Sequence, residues 1–262
     1  MKQILRTYIL GLTRICTCYV SLFVLVAVMV LLSLSSAPAR AGMIEAKTAY
    51  DAKDYKTAFK EYLPLAEAGN AEAQYRIGRI YRFGLVKKQD FKKAVMWFKK
   101  SIKNGYRPTI TLGYMAGRGQ GMRLSKKSEA CFYRLDAIRG LSTAQWALYL
   151  NLRKTDNSMS EARDWLLRAV KQGHPAAMAR HGYVLIVNFF RQDKTEGLMY
   201  MWLGIQNGND PEVSELLSEV VGDDPDMIRQ LAIAKEMAKK WKPVKEVPPT
   251  DLPPENFEEC FP

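Results

Sequence analysis

Residues 69–84, GNAEAQYRIGRIYRFG, and residues 90–98, DFKKAVMWF, decide the fold of this chain. The apolar residues of the first stretch recur at the spacing of one helical face: Ala73, Ile77, Ile80 and Tyr81. Asp90 stands where it can cap a second helix, and Gly105 offers the left-handed backbone that commonly ends one. The stretch therefore predicts two helices joined by a short turn.

The same arrangement of aromatic and apolar residues followed by a closing glycine occurs five times. The closing glycines lie 33 to 36 residues apart, at Gly69, Gly105, Gly140, Gly173 and Gly208. A fixed period of this length is typical of solenoids built from stacked helix pairs. It predicts an all-α chain with helices at residues 44–53, 55–68, 71–83, 90–103, 108–116, 126–139, 142–152, 159–171, 175–189, 194–206, 211–220 and 226–241.

The repeated unit resembles the Sel1-like repeat, a relative of the tetratricopeptide repeat. Residues 71–84 and 90–98 are similar to the family's A-x-x-L-G-x-x-Y helix, glycine loop and K-A-x-x-W-[YF] helix. Residues 112–119 repeat the first part, whereas residues 142–158 lack its central glycine. The resemblance covers about residues 44–243, and it implies a right-handed α/α superhelical solenoid of about five helix-turn-helix repeats, in a bacterial protein.

Glycines in the middle of predicted helices need a structural reason, because each costs about 1 kcal/mol relative to Ala. Gly78, Gly113 and Gly182 hold such positions, and we expect a neighbouring helix to approach closely there. The aromatic residues at equivalent points of the second helices are expected to form core between repeats: Trp97, Tyr133, Trp165, Tyr200 and Trp202.

The two ends of the chain differ from the repeats. Residues 1–41 combine a basic start, an apolar run and small residues before Gly42, which predicts a cleaved signal peptide. The apolar run approaches the roughly 20 residues that span a bilayer, so an uncleaved membrane anchor is the alternative. Residues 42–242 are predicted to form the solenoid, and residues 243–262 an acidic, proline-rich, disordered tail. Export predicts a periplasmic or secreted protein. If residues 1–41 are not cleaved, the protein is expected to be anchored in the inner membrane.

Two cysteines, Cys131 and Cys260, follow the predicted signal peptide. In an oxidising compartment they can pair and tie the tail to the repeats. Alternatively, Cys131 is a buried small apolar residue and Cys260 is free on the tail. The choice depends on the separation of their Cα atoms, which the sequence does not fix.

Recognisable catalytic or metal-binding patterns are missing from the sequence. His174 and His181 are the only histidines, and a zinc site needs three or four ligands. We expect one of these histidines to stand at a helix start and the other to be a packing residue. Residues 117–121, GRGQG, lack the Lys-Ser/Thr pair of a phosphate-binding loop and are expected to form a turn. The sequence therefore predicts no catalytic residue, no metal and no cofactor.

Arginine and tyrosine residues are expected to face away from the core on the first helices of the pairs. The resemblance implies that these helices line the concave, partner-binding face. The predicted binding residues are Arg76, Arg79, Arg82, Tyr114, Arg180 and Tyr183. Such a surface suits carboxylates, acidic peptides or acidic glycans. The alternative is an ordinary solvated helix face.

These features predict a non-catalytic scaffold in the cell envelope that binds a protein partner. The formal net charge is +12, and the first 41 residues hold four of the basic residues and no acid. The positive charge also favours direct binding of acidic polysaccharide or peptidoglycan. A hydrolase is a weaker alternative, because the chain lacks the paired cysteines of the Sel1-like proteins credited with that activity. Nucleic acid does not suit an exported chain.

Overall fold

The computed structural model describes residues 42–154, 158–187, 193–208, 210–246 and 256–262, so the predicted signal peptide lies outside the described residues. The described residues form helices and connecting turns, without a strand. The helices are α1 (42–51), α2 (Tyr55–Glu67), α3 (Ala71–Phe83), α4 (Phe91–Lys103), α5 (Thr109–Ala116), α6 (Lys126–Ala137), α7 (Ser142–Leu152), α8 (Met159–Lys171), α9 (Pro175–Val187), α10 (Lys194–Gly208), α11 (Pro211–Val221) and α12 (Pro225–Lys240).

Several helices begin at short polar side chains that accept hydrogen bonds from the first turn. Asn70 accepts from the Ala73 amide at 2.9 Å and starts α3. Asp90 accepts from the Lys93 amide at 2.9 Å, so the predicted cap of α4 is confirmed. Gly105 has a φ of 94°, the left-handed backbone that ends α4. Observed and predicted helix ends differ by two residues or fewer.

The chain divides into two compact units, residues 1–107 and 108–262. In the first unit, α2 packs against α3 and α3 packs against α4. In the second unit the pairs are α5 with α6, α7 with α8, and α9 with α10, while α12 packs against α10. The predicted helix pairing is therefore confirmed within each unit.

Glycine allows the paired helices to approach closely, as expected. A β-carbon at Gly78 would lie 2.5 Å from Cε1 of Phe98, and one at Gly113 would lie 2.5 Å from Cε1 of Tyr133. At Gly182 a β-carbon would collide with the carbonyl oxygen of Gly197. Each contact joins the first helix of a pair to the second.

The aromatic residues predicted as core lie there. Trp97, Tyr133 and Trp165 are buried. Tyr200 and Trp202 are partly buried and pack against the core of the second unit. None of the described helices is both long enough and apolar enough to cross a bilayer.

The described parts of the C-terminal segment pack against helices, so the prediction of a disordered tail is wrong for them. At residues 243–246 the Val244 amide donates to the Lys171 carbonyl at 2.8 Å. At residues 256–262 the Phe261 ring lies edge-on to Phe132, with 5.0 Å between centroids. Prolines and acidic residues suggested a solvated chain, but specific polar and aromatic contacts hold these two stretches.

A disulfide joins Cys131 of α6 to Cys260 in the short turn Phe257–Cys260. Their Cα atoms are 5.4 Å apart, and Cys260 is buried. Of the two alternatives left open by the sequence, the structure shows the paired one. The bond fixes the end of the chain to the second unit.

We predict that Gly78→Ala lowers the free energy of unfolding by about 1–3 kcal/mol, because Phe98 is fully buried and cannot move aside. Alanine would otherwise favour a helix by about 1 kcal/mol. Urea denaturation measures the change. Gly42→Ala is the control, since its nearest neighbour, Leu65 Cδ1, is 4.0 Å away. A Gly78→Ala protein as stable as the wild type would contradict this packing.

We predict that replacing Cys131 and Cys260 together by alanine lowers the free energy of unfolding by about 2–5 kcal/mol, because the bond closes a long loop in the unfolded chain. Denaturation with and without reductant provides the control. Reductant should destabilise the wild type and leave the double variant unchanged. Equal stability of all four samples would show that no such bond forms.

Candidate functional site

Arg76 on α3 is largely buried and is bound by neighbouring side chains of the first unit. Its Nη2 donates to Oε1 of Glu72 at 3.1 Å, and its side chain is 18% exposed. Its Cζ lies 5.2 Å from the centroid of the Tyr50 ring. Burial disfavours the charged guanidinium, but Glu72 and nearby tyrosines outweigh this and raise the pKa of Arg76. The prediction that Arg76 points away from the core therefore describes only part of its environment.

Arg79, one turn further along α3, is held by aromatic rings. Its Cζ lies 5.5 Å from the centroid of Tyr50, 6.0 Å from that of Tyr75 and 5.7 Å from that of Phe83. Within the described ranges no carboxylate or hydrogen-bond acceptor contacts its guanidinium. Three ring faces thus position a cation whose hydrogen-bond donors remain available.

Tyrosines extend this surface. The Tyr75 ring stacks on Tyr106 with 4.6 Å between centroids, and Tyr50 meets Tyr55 edge-on at 5.3 Å. Burial raises the pKa of Tyr50, although Arg79 and Arg76 pull it down. Burial likewise raises the pKa of Tyr106. We call the surface formed by Tyr50, Tyr75, Arg76, Arg79, Phe83 and Tyr106 the Arg–Tyr cluster.

Arg82 stays at the edge of the Arg–Tyr cluster. Its Cζ lies 4.8 Å from the Phe83 centroid, and its carbonyl accepts a hydrogen bond from Gln89 Nε2 at 2.7 Å. Arg82 also takes part in a further polar, ring or electrostatic interaction.

The other three predicted binding residues belong to the second unit. Arg180 on α9 donates from Nε to the Tyr149 hydroxyl at 3.1 Å, and its Cζ lies 6.0 Å from the Tyr183 ring centroid. Tyr114 on α5 lies beneath Arg118, at 3.7 Å from Cζ to the ring centroid. The structure therefore brings Arg180 and Tyr183 together and shows a separate contact for Tyr114.

The two histidines have packing roles. His174 precedes α9, stacks on Trp146 at 5.8 Å and accepts from the Ala177 amide at 3.4 Å. His181 contacts the Tyr200 ring at 5.1 Å. Burial lowers the pKa of both, and nearby Arg163 lowers that of His181 further. In the described stretches no three His, Cys, Asp or Glu residues group as a metal site would require.

Sequence reasoning missed a pair of buried glutamines that join successive helices. Gln74 Nε2 donates to the Ala66 carbonyl at 2.9 Å, and Gln74 Oε1 accepts from Asn104 Nδ2 at 3.0 Å. We call this contact between α2, α3 and α4 the Gln74 seam. The recurrence of Ala-Gln four and five residues after Gly69 and after Gly140 is the pattern that could have revealed it.

The second unit repeats the arrangement around Gln145. Its Nε2 donates to the Ala137 carbonyl at 3.1 Å, and its Oε1 accepts from Gln172 Nε2 at 2.8 Å. We call this contact between α6, α7 and α8 the Gln145 seam.

The Gln145 seam also holds a carboxylate from the C-terminal segment. Glu246 Oε2 accepts from Gln145 Nε2 at 2.5 Å and from Gln172 Nε2 at 3.2 Å. Glu246 Oε1 pairs with Arg168, whose Cζ lies 4.5 Å from the Trp165 ring centroid. Burial lowers the pKa of Arg168.

The segment that carries Glu246 lies along two closing glycines. A β-carbon at Gly140 would be 3.3 Å from Glu246 Cβ. One at Gly173 would be 3.2 Å from the Trp241 ring and 3.4 Å from Pro243 Cβ. Residues 241–246 are thus an extended segment bound by the second unit through backbone, apolar and carboxylate contacts.

Comparison with known proteins identifies a repeat family and a curated relative that this chain resembles. The family described as Sel1 repeat matches residues 71–106 and 137–174, which include the amide side chains of Gln74, Asn104, Gln145 and Gln172. A curated relative is chitin synthase regulatory factor 3 of Schizosaccharomyces pombe, 27% identical over 130 residues. The match covers 47% of this chain and only 14% of that protein.

Two solved structures share the fold. A Sel1 repeat protein from Oxalobacter formigenes aligns with a TM-score of 0.61 and 23% identity, over 75% of this chain and 83% of the other. The protective antigen c5321 of uropathogenic Escherichia coli aligns with a TM-score of 0.62 and 21% identity, over 77% of this chain and 44% of the other. At these identities the likeness shows the fold alone.

The predicted fold class is confirmed by the helical architecture of the described residues and by these neighbours. Sel1 repeats suggest a scaffold for protein interaction. The chain carries Sel1 repeats at residues 71–106 and 137–174 and shares the fold of solved Sel1-repeat proteins.

Proposed function

We propose that this protein is a non-catalytic scaffold that binds a protein partner through the Arg–Tyr cluster of its first unit. The observation that carries the proposal is Arg79, held over three aromatic rings with no acceptor among the described residues. Arginine and tyrosine at a fixed surface are typical anchors of protein interfaces. A carboxylate of the partner would receive two parallel hydrogen bonds from the guanidinium.

The proposed location is the bacterial cell envelope. The apolar N-terminal segment with its small residues before Gly42 supports export. The bond between Cys131 and Cys260 supports an oxidising compartment. The S. pombe relative is named as a regulatory factor of an enzyme, which agrees with a role that is not itself catalytic.

Binding of an acidic polysaccharide or peptidoglycan is the second candidate, favoured by the net charge, which is +12 for the whole sequence and +8 without the four basic residues of residues 1–41. Salt separates the two candidates. Charge-driven glycan binding should weaken steeply between low and moderate ionic strength. An interface anchored by aromatic rings should weaken less.

We predict that Arg79→Ala abolishes capture of the partner, while Arg79→Lys keeps the charge but loses the paired hydrogen bonds and captures less. In-cell crosslinking of the tagged full-length protein, followed by mass spectrometry, measures the captured set. Arg229→Ala on α12 is the matched control, because Arg229 is exposed and pairs with its neighbour Asp226.

The proposal requires a discrete set of envelope proteins that is retained by Arg229→Ala and lost by Arg79→Ala. Thermal unfolding of each variant has to match that of the wild type. Capture of the same proteins by Arg79→Ala would remove the Arg–Tyr cluster as the binding surface. Recovery of glycan alone would favour the second candidate.

A further inference from the structure

The Gln74 seam and the Gln145 seam are built from equivalent residues. In both, a glutamine at the start of the first helix donates to a carbonyl at the end of the preceding helix. In both, it accepts from the amide side chain just before a closing glycine, Asn104 in one and Gln172 in the other. Lys100 Nζ lies 4.5 Å from the Trp97 ring centroid, as Arg168 Cζ lies 4.5 Å from that of Trp165.

The Gln145 seam shows what this arrangement binds. Its glutamine amide nitrogen has two hydrogens, and it gives one to the Ala137 carbonyl and the other to the Glu246 carboxylate. Arg168 adds the opposite charge. The Gln145 seam therefore holds a carboxylate on an extended chain through two kinds of contact, amide hydrogen bonds and an ion pair.

The Gln74 seam has the same donors without that carboxylate. Gln74 is 3% exposed, and its Nε2 donates only to the Ala66 carbonyl in the part of the chain that the structure describes. Lys100 contacts only the Trp97 ring there, with no carboxylate beside it. Around Gly69 and Gly105 the space that Glu246, Pro243 and Trp241 fill in the second unit is open, because the nearest atom to a β-carbon at Gly69 is Asn104 Nδ2 at 3.9 Å.

We propose that the Gln74 seam binds the glutamate or aspartate side chain of an extended segment of a partner protein. The carboxylate accepts from the second hydrogen of Gln74 Nε2 and from Asn104, and it pairs with Lys100. The inference rests on the proposed scaffold function, but it concerns a surface that does not include Arg79.

The segment 241–246 of this chain, WKPVKE, supplies the probe, because the second unit binds it at the equivalent seam. The experiment titrates the full-length protein with the capped peptide and follows fluorescence anisotropy of a label on the peptide. The peptide WKPVKQ, which lacks the carboxylate, is the matched control ligand. We expect WKPVKE to bind and WKPVKQ to bind at least about tenfold more weakly.

Variants of the protein locate the bound peptide. Lys100→Ala should weaken binding about tenfold, and Lys100→Arg should strengthen it by recreating the paired contact that Arg168 makes. Lys92→Ala, on the exposed side of the same helix, should change nothing. Lys100 is exposed, so these variants are expected to fold normally.

Several results would overturn the inference. One is that WKPVKE does not bind at millimolar concentration, and another is that WKPVKQ binds equally well. A third is that Lys100→Ala leaves binding of WKPVKE intact while Arg168→Ala removes it. The last result would mean that the peptide replaces residues 241–246 in the second unit. Self-association of the protein that Lys100→Ala abolishes would identify a second copy as the occupant and would overturn the assignment to a partner.

Arg79→Ala keeps this test separate from the test of the proposed function. It should leave binding of WKPVKE unchanged even if it abolishes capture of the partner. Loss of peptide binding in Arg79→Ala would overturn the separation of the two surfaces.

Discussion

A glutamine amide buried between three helices has to satisfy two donors and one acceptor where water has little access. Gln74 and Gln145 are almost fully buried, and an unmade hydrogen bond at such a position costs about 1–3 kcal/mol. Each glutamine donates to the end of the preceding helix and accepts from the residue before a closing glycine, and Gln145 gives its second hydrogen to Glu246. The bonds fix the register of one helix pair against the next.

Close approach of the paired helices completes this constraint. Gly78 and Gly113 lie directly against the rings of Phe98 and Tyr133. Gly105 ends α4 and so places Asn104 where it meets Gln74. A repeat thus presents a donor pair and a cation at each seam, although its core is apolar.

The two units use the seam differently. In the second unit, Glu246 accepts the second hydrogen of Gln145. The bond between Cys131 and Cys260 attaches the C-terminal segment to α6 of the same unit. The first unit has Lys100 and Asn104 at the equivalent positions, with no described carboxylate against them. The same arrangement therefore makes a closed contact in the second unit, and we propose that it forms a binding surface in the first.

The sequence predicted the helices and their pairing well, because glycine spacing, caps such as Asp90 and the aromatic positions all depend on local pattern. It predicted less about side-chain environment. Arg76 was expected on an open face, yet Glu72 and Tyr50 enclose it. Whether an arginine is enclosed depends on the rings of another helix, which no local pattern specifies.

The contact of Glu246 with Gln145 spans 101 residues, so composition alone could suggest only a disordered tail. The most direct test of the seam as a carboxylate site is hydrogen exchange at the Val244 amide, which donates to Lys171 when residues 241–246 are bound. We predict that the Val244 amide exchanges much more slowly than the Lys245 amide in the wild type and exchanges fast in Glu246→Gln. Exchange of Val244 in the wild type as fast as in the free peptide would contradict this prediction.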